Sequence, residues 1–291
     1  MKIENFASAQ ATHLPAFLSA IQGKLTGSVI VVPCYNEAKR LDSASFIDYL
    51  SATPDVTFLF VNDGSTDATL DCLVTLCEQA AGRALVLDLA QNGGKAEAVR
   101  QGLIAACDLG AECVGYWDAD LATPLDAIDD FSRVMAKFPT TQVVYGARRA
   151  LLGHRIERTM TRRAVSRVCA TLARQAVRLP IGDTQCGAKM LRNSRHLRAA
   201  LETPFTAGWL FDVELFARLS ARLEDRSRAF YEQPLAEWTE VAGSKVSGSA
   251  ILKSGLRMLR LIAETRLGLP VAAPVATTAP AARFVPFAEA A

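Results

Sequence analysis

Five short apolar runs recur along the first half of the chain, and helical stripes separate them. They are Ser28–Val32, Val56–Val61, Ala84–Leu87, Cys113–Trp117 and Thr141–Tyr145. Most positions in each run are apolar, rather than every second one, which marks strands buried on both faces, as in parallel sheets. Between them, Leu70, Leu73, Val74 and Cys77 repeat at helical spacing, with Ser65, Thr66 or Asp67 available as N-cap. Val99, Leu103 and Ala106 form a second stripe. Such alternation predicts an α/β fold, a mostly parallel central sheet flanked by helices. Ligands of such sheets bind beyond the carboxyl ends of the strands. Pro33, Asp63, Asn92, Asp118 and Arg148 all fall at or just beyond the end of a run.

Asp118-Ala119-Asp120 directly follows the fourth run. On an extended backbone residues 118 and 120 share a side, and two carboxylates held that close repel unless a cation or a proton intervenes. Oxygen-only ligands suit a hard divalent ion and leave coordination positions for substrate phosphates. Acid pairs are also common in surface turns, so the tripeptide decides nothing by itself.

The composition, half hydrophobic and 21% charged over 291 residues, suits a soluble globular core. Glu4 and the lack of a continuous apolar core argue against a secretory signal, and no stretch reaches the roughly 18–20 apolar residues of a membrane span. Seven cysteines, odd in number and without CxxC pairing, read as reduced packing residues of a cytoplasmic protein. Net charge is +2, yet Arg148 to Arg178 carries nine arginines against one acid, Glu157. A block of local charge +8 with no compensating Glu at helical spacing implies an anionic partner: phosphate, nucleic acid or acidic lipid. Ile156, Met160, Val165, Val168 and Leu172 give the block a rough helical stripe. Leu210–Leu223 reads as a further helix, and Leu252–Arg266 as basic and amphipathic. From Val271 the chain turns Ala/Pro/Thr-rich, as a disordered tail does. The expected organisation is an N-terminal extension over 1–26, one domain over 27–255, and the amphipathic segment and tail over 256–291. The three histidines, His13, His154 and His196, have no convincing partners in the sequence.

The ordered motifs Val32-Pro33-Cys34-Tyr35-Asn36-Glu37, Val61-Asn62-Asp63-Gly64-Ser65-Thr66-Asp67, Asn92-Gly93-Gly94-Lys95 and Asp118-Ala119-Asp120 resemble those of family 2 glycosyltransferases, with the GT-A (Rossmann-like) fold in a single domain. Asp183-Thr184-Gln185-Cys186-Gly187-Ala188-Lys189, Trp209–Glu214 and Glu240–Val246 extend the resemblance, over about residues 27 to 255, to the dolichyl-phosphate β-glucosyltransferase branch and its polyprenyl-phosphate relatives. The resemblance implies that Asp63 accepts the imide N–H of uracil, and that Pro33, Tyr35 and Glu37 wall the nucleoside pocket. The Asn-Asp-Gly-Ser string also suits a plain turn. Lys95 meets the phosphates at a helix start. Asp118 contacts ribose or metal, and Asp120 holds a divalent cation, Mg²⁺ or Mn²⁺. Where some relatives carry a further metal ligand, two residues after the second Asp, this chain has Ala122.

For the acceptor, relatives use an Arg at the place of Arg148 and an Arg-x-x-x-Ser pair at the place of Arg162 and Ser166, which would grip a lipid monophosphate. Asp212 aligns with the general base of members that glycosylate hydroxyls. With a phosphate acceptor it orients the donor sugar instead, and Glu214 is structural. Trp209 stacks on the sugar or packs in the core, and Ser244-Lys245 is a closing loop. The implied activity is an inverting, metal-dependent hexosyltransferase, moving glucose from UDP-glucose to a polyprenyl phosphate. Its alternative is transfer to a soluble hydroxyl acceptor with Asp212 as base. A silent nucleotide-sugar binder is the third reading, disfavoured by the intact acids. No nucleic-acid partner is expected. Residues 252–266 would supply a peripheral contact with the cytoplasmic membrane face.

Overall fold

The computed structural model describes residues 27–157, 160–241, 248–267 and 281–285, and for 160–168 and 248–254 only the helical backbone. The expected leading segment 1–26, with its helix around Leu14–Ile21, and the Ser244-Lys245 loop lie outside the described residues.

The strands are β1 (Ser28–Cys34), β2 (Val56–Asp63), β3 (Ala84–Leu89), β4 (Cys113–Trp117), β5 (Val143–Ala147), β6 (Arg155–Ile156), β7 (Ala188–Arg192), β8 (Phe230–Pro234), β9 (Glu237–Trp238) and β10 (Ala282–Phe284). The helices are α1 (Ser43–Ala52), α2 (Thr69–Gln79), α3 (Lys95–Asp108), α4 (Ala127–Lys137), α5 (Met160–Val177), α6 (Arg195–Leu201), α7 (Phe211–Ser220), α8 (Arg226–Ala229) and α9 (Gly248–Arg266). Eight strands form one sheet in the order β10-β3-β2-β1-β4-β7-β5-β8, and β6 pairs with β9 apart from it. The neighbours β3, β2, β1 and β4 run parallel. Strand β7 is antiparallel to both β4 and β5, so those two point the same way, and β8 is parallel to β5. Six strands therefore deliver their carboxyl ends to one edge, and β7 begins there: Ala188 lies opposite Trp117.

Side-chain alternation divides each apolar run between two cores. Ile30, Val32, Phe58 and Phe60 face α1, α2 and α4, where Phe46 meets both phenylalanines edge-on at 5.0 and 5.1 Å. Val29, Val31, Leu59 and Val61 face α3, α5 and α7. Each fully buried Phe of the first core contributes about 1.5–3 kcal/mol of transfer free energy.

Several boundaries differ from the sequence reading. Pro33 does not end β1; the strand passes through it to Cys34. Helix α2 begins after Ala68, which offers no cap; Asp67 instead accepts the Thr69 N–H at 3.0 Å. Ile156 sits in β6, so it is not part of the helical stripe of α5. The expected division at 255/256 falls inside α9, whose Met258 and Leu261 are buried in the core. The tail is ordered at Ala282–Phe284, which pairs antiparallel with β3 as an edge strand. Arg283 holds it there with two contacts to Asp88 Oδ2, at 3.1 and 3.2 Å. All seven cysteines are free and six are buried, which fits a packing role.

Candidate active site

At the carboxyl edge of the sheet the loops after β1, β2, β3 and β4 enclose a cleft of about 400 Å³. Pro33, Tyr35, Glu37, Asp63, Lys95, Asp118 and Asp120 all line it. Seven residues singled out from four separate motifs thus converge on one cavity.

The loops are tied to one another. Asn36 takes a positive φ of 54° after β1, its N–H donates to Ser65 Oγ and its Oδ1 accepts the Thr66 N–H. The Glu37 N–H donates to Thr69 Oγ1 at 2.8 Å. Asp63, at the tip of β2, accepts the Gly93 N–H through Oδ1 at 2.7 Å, which fixes the loop after β3. Its pKa is pushed up by burial, against the opposing pull of the Gly93 and Gly94 amides. The turn and the binding role are therefore compatible: one oxygen organises the loop while the residue borders the cleft. Gly94 then adopts φ 82° as the N-cap of α3 and presents Lys95.

The two acids do not stand on extended backbone. Strand β4 stops at Trp117 and residues 118–120 turn, with the Leu121 N–H donating to the Asp118 carbonyl at 3.2 Å. A turn, rather than strand alternation, brings the carboxylates together. Lys95 Nζ lies 2.5 Å from Asp118 Oδ1. Burial works against that ammonium, but Asp118, Asp212 and Asp120 outweigh it, so its pKa is raised. Burial and then the Asp118 charge push the Asp120 pKa up, opposed by the Ala122 N–H, Lys95 and Arg40. Two carboxylates held this close repel unless a cation or a proton intervenes, and an all-oxygen donor set suits a hard divalent ion. No group of three or more His, Cys, Asp or Glu able to hold a metal exists among the described residues. Asp118 and Asp120 could each offer a carboxylate oxygen to such an ion, with phosphates and water completing its shell.

Beneath the pair, Gly187 is required for space: a Cβ there would stand 1.9 Å from Asp118 Oδ2. The Asp118 N–H donates to the Gly187 carbonyl at 3.0 Å, so the start of β7 supports the acidic turn directly.

Asp212 opens α7 and is 7% exposed. Its Oδ1 accepts from the Tyr116 hydroxyl and lies 2.8 Å from Lys189 Nζ. Lys189 is fully buried between β4 and β5, opposite Tyr116 and Tyr145, and also donates to the Cys186 carbonyl at 2.5 Å. Burial and the Asp212 charge hold the Tyr116 phenol protonated, with a pKa well above its usual value. Nothing local in the sequence marks Lys189 for this role, because its strand is defined only by pairing with β4 and β5. Arg40, which meets Glu37 Oε1 at 2.6 Å and borders the cleft, was missed altogether; its spacing of three from Glu37 is the only sequence cue.

Arg148 has partners within the protein. Its Nε and terminal nitrogen close on Asp183 at 2.7 and 2.8 Å, and the guanidinium stacks 5.1 Å from the Trp238 ring. Two of its five N–H donors are thus committed to Asp183 at the β5 exit. The side chains of Arg162 and Ser166 lie outside the described residues. Glu214 is structural: fully buried, it accepts the Thr206 and Ala207 N–H groups at 2.7 Å and pairs with Arg218. Trp209 packs, partly buried, against the core. His154 is bonded to the Leu235 carbonyl at 2.7 Å.

The fold and the acid-bearing turn define the class as a GT-A glycosyltransferase. Glucosyl-3-phosphoglycerate synthase from Mycobacterium tuberculosis superposes with a TM-score of 0.59 at 18% identity, covering 89% of this chain and 87% of the other. The mannosyltransferase PcManGT from Pyrobaculum calidifontis, solved with GDP-Man and Mn²⁺, gives 0.55 at 17% identity, covering 85% and 65%. At these identities the likeness is one of fold. The chain belongs to glycosyl transferase family 2, whose model matches residues 29–197. Among its relatives, the dolichyl-phosphate beta-glucosyltransferase of Saccharomyces cerevisiae is 30% identical over 237 residues, 75% of this chain and 68% of the relative. That of Drosophila melanogaster is 29% identical over 236 residues, again 75% and 68%.

Proposed function

We propose that this glycosyltransferase moves glucose from UDP-glucose to a polyprenyl phosphate, with inversion at the anomeric carbon. The observation that carries the reading is the cleft itself: Asp63, Lys95, Asp118 and Asp120 border one cavity at the strand tips. In this reading Asp63 accepts from the uracil ring, Pro33, Tyr35 and Glu37 wall the nucleoside, and Lys95 meets the diphosphate. Asp118 and Asp120 bind a divalent cation, which when bound neutralises the charge developing on UDP as it departs. The acceptor phosphate oxygen forms a bond to C1 while the C1–O bond to UDP breaks.

A phosphate monoester is largely ionised near neutral pH and attacks without a strong protein base. The state of Asp212 favours that acceptor over a hydroxyl. Its Oδ1 already accepts from the Lys189 ammonium and the Tyr116 hydroxyl, so this oxygen is held by the core rather than aimed at an acceptor hydroxyl. Asp212 is therefore assigned to orienting the donor sugar. Arg162 and Ser166, spaced one helical turn apart on α5, remain the proposed grip on the acceptor phosphate. No described helix is long and apolar enough to cross a membrane.

The test is a donor screen with polyprenyl phosphate and product analysis. UDP-glucose with a divalent ion should give a lipid-soluble phosphodiester of inverted configuration, lost in Arg162→Ala while UDP binding persists. Undiminished transfer by that variant, or transfer only to soluble hydroxyl acceptors, would overturn the assignment.

A further inference from the structure

Helix α9 carries apolar side chains on two opposite faces. Met258 and Leu261 are buried and Ile262 packs beside them against the core, so this face already has its partner. On the other side Leu256, Leu259 and Leu267 are 63%, 58% and 72% exposed. At 100° per residue these three and the exposed Ala263 fall within an arc of about 80°, opposite Met258. Scattered exposed leucines are ordinary, but a row of them at helical spacing on a helix whose core face is already satisfied is not.

The borders of this row are basic. Arg257 and Arg260 flank it on one side and Arg266 on the other, all three exposed. The one acid of this stretch, Glu264, is 13% exposed at its side chain and held by Arg260 Nε at 2.7 Å. Arg266 also reaches Gln175 Oε1 on α5, which fixes the end of α9 against its neighbour. An apolar stripe edged by cations matches the boundary between anionic headgroups and acyl chains.

We propose that the outer face of α9 docks the protein onto an anionic lipid bilayer, with Leu256, Leu259 and Leu267 entering the acyl boundary and Arg257, Arg260 and Arg266 meeting headgroup phosphates. The purpose of this docking rests on the lipid-acceptor reading, since an acceptor confined to a bilayer must be reached from its surface. Its chemistry does not depend on that reading. The contact also differs from the one expected of residues 252–266 as a whole, because half of that amphipathic pattern is spent on the core.

The experiment is co-sedimentation of the full-length protein with vesicles of phosphatidylcholine alone and of phosphatidylcholine mixed with phosphatidylglycerol. Binding to the mixed vesicles should exceed that to phosphatidylcholine and weaken with salt. The triple variant Leu256→Ser/Leu259→Ser/Leu267→Ser should bind at least about tenfold more weakly, with its melting temperature unchanged. Arg257→Gln/Arg260→Gln should lose the preference for the anionic lipid while keeping the fold. Equal binding by the wild type and the triple variant, or no binding by the wild type, would overturn the proposal. So would a wild-type dimer that the triple variant converts to monomer without any vesicle binding, since the stripe would then serve a second copy of the chain. A parallel assay with a short, water-soluble prenyl phosphate separates the two readings. There the triple variant should transfer sugar as well as the wild type. Failure of all transfer with intact vesicle binding would remove the acceptor assignment and leave the docking face standing.

Discussion

Lys189→Met isolates the buried charge pair behind the cleft. Methionine keeps nearly the same length and volume, so the change removes the ammonium without opening a sizeable cavity. What remains is the Asp212 carboxylate, 7% exposed, facing a protonated Tyr116 and no cation at the former 2.8 Å contact. Removing one partner of a buried ion pair costs about 3–5 kcal/mol, because the survivor keeps its desolvation penalty. Lys189 also holds the Cys186 carbonyl at 2.5 Å and lies 4.9 Å from the Tyr116 ring, so the figure should fall within that range rather than below it. Adding Asp212→Asn removes the stranded charge. The double variant should then recover a coupling energy of roughly 1–3 kcal/mol relative to the sum of the singles. Urea unfolding followed by circular dichroism, at neutral and mildly acidic pH, measures both. The cost of the single variant should shrink in acid, where protonation discharges the stranded carboxylate. A single-variant cost below about 0.5 kcal/mol, or strict additivity in the double variant, would refute a coupled pair.

Other variants bear on the acidic turn and its support. Asp120 carries a raised pKa through burial and Asp118, so its ionisation disfavours the folded state. Its stabilising share is complete below the unfolded carboxyl pKa and is lost as pH rises through the folded one. Asp120→Asn should accordingly raise the metal-free melting temperature at neutral pH, while removing both the thermal shift on adding Mn²⁺ and the transfer activity; a lower melting temperature would contradict this. In the wild type the Mn²⁺-induced shift should grow from mildly acidic to neutral pH as protons cease to compete, and a shift that is independent of pH would count against the carboxylate pair as ligands. Gly187→Ala places a Cβ where Asp118 Oδ2 now stands, at 1.9 Å, and should lower kcat at least about 100-fold in a fold that spectroscopy finds intact. Arg148→Ala should act on stability, costing about 3–5 kcal/mol through the buried Asp183 pair. An unchanged melting temperature with a raised acceptor KM would return Arg148 to the acceptor site.

Much of the architecture was legible because continuous apolar runs have few alternatives. Val56–Val61 is buried on both faces whatever surrounds it, and the helical stripes between runs leave only crossover connections. The convergence of Asp63, Lys95 and the acid pair followed from that, since strand tips of a parallel sheet share an edge. The insertion of β7 was not legible. Ala188–Arg192 contains Lys189 and Arg192, and only the long-range pairing with β4 and β5 makes a strand of it. The same burial explains why Lys189 was passed over: its significance is the partner Asp212, some twenty residues away in sequence. The Asp183 partner of Arg148 was hidden for a related reason. A row of arginines states a charge excess, but which one is neutralised by Asp183 depends on the meeting of two loops. The tail misled through composition, because three residues suffice for an edge strand when Phe284 packs against the core and Arg283 finds Asp88.

Calorimetric titration of UDP into the purified protein, with and without Mn²⁺, tests the strand-tip diphosphate site most directly. Binding should tighten strongly with the ion in the wild type, and that gain should vanish in Asp120→Ala while the metal-free binding persists. Equal UDP affinity with and without the ion, or an Asp120→Ala variant that keeps the full gain, would contradict it.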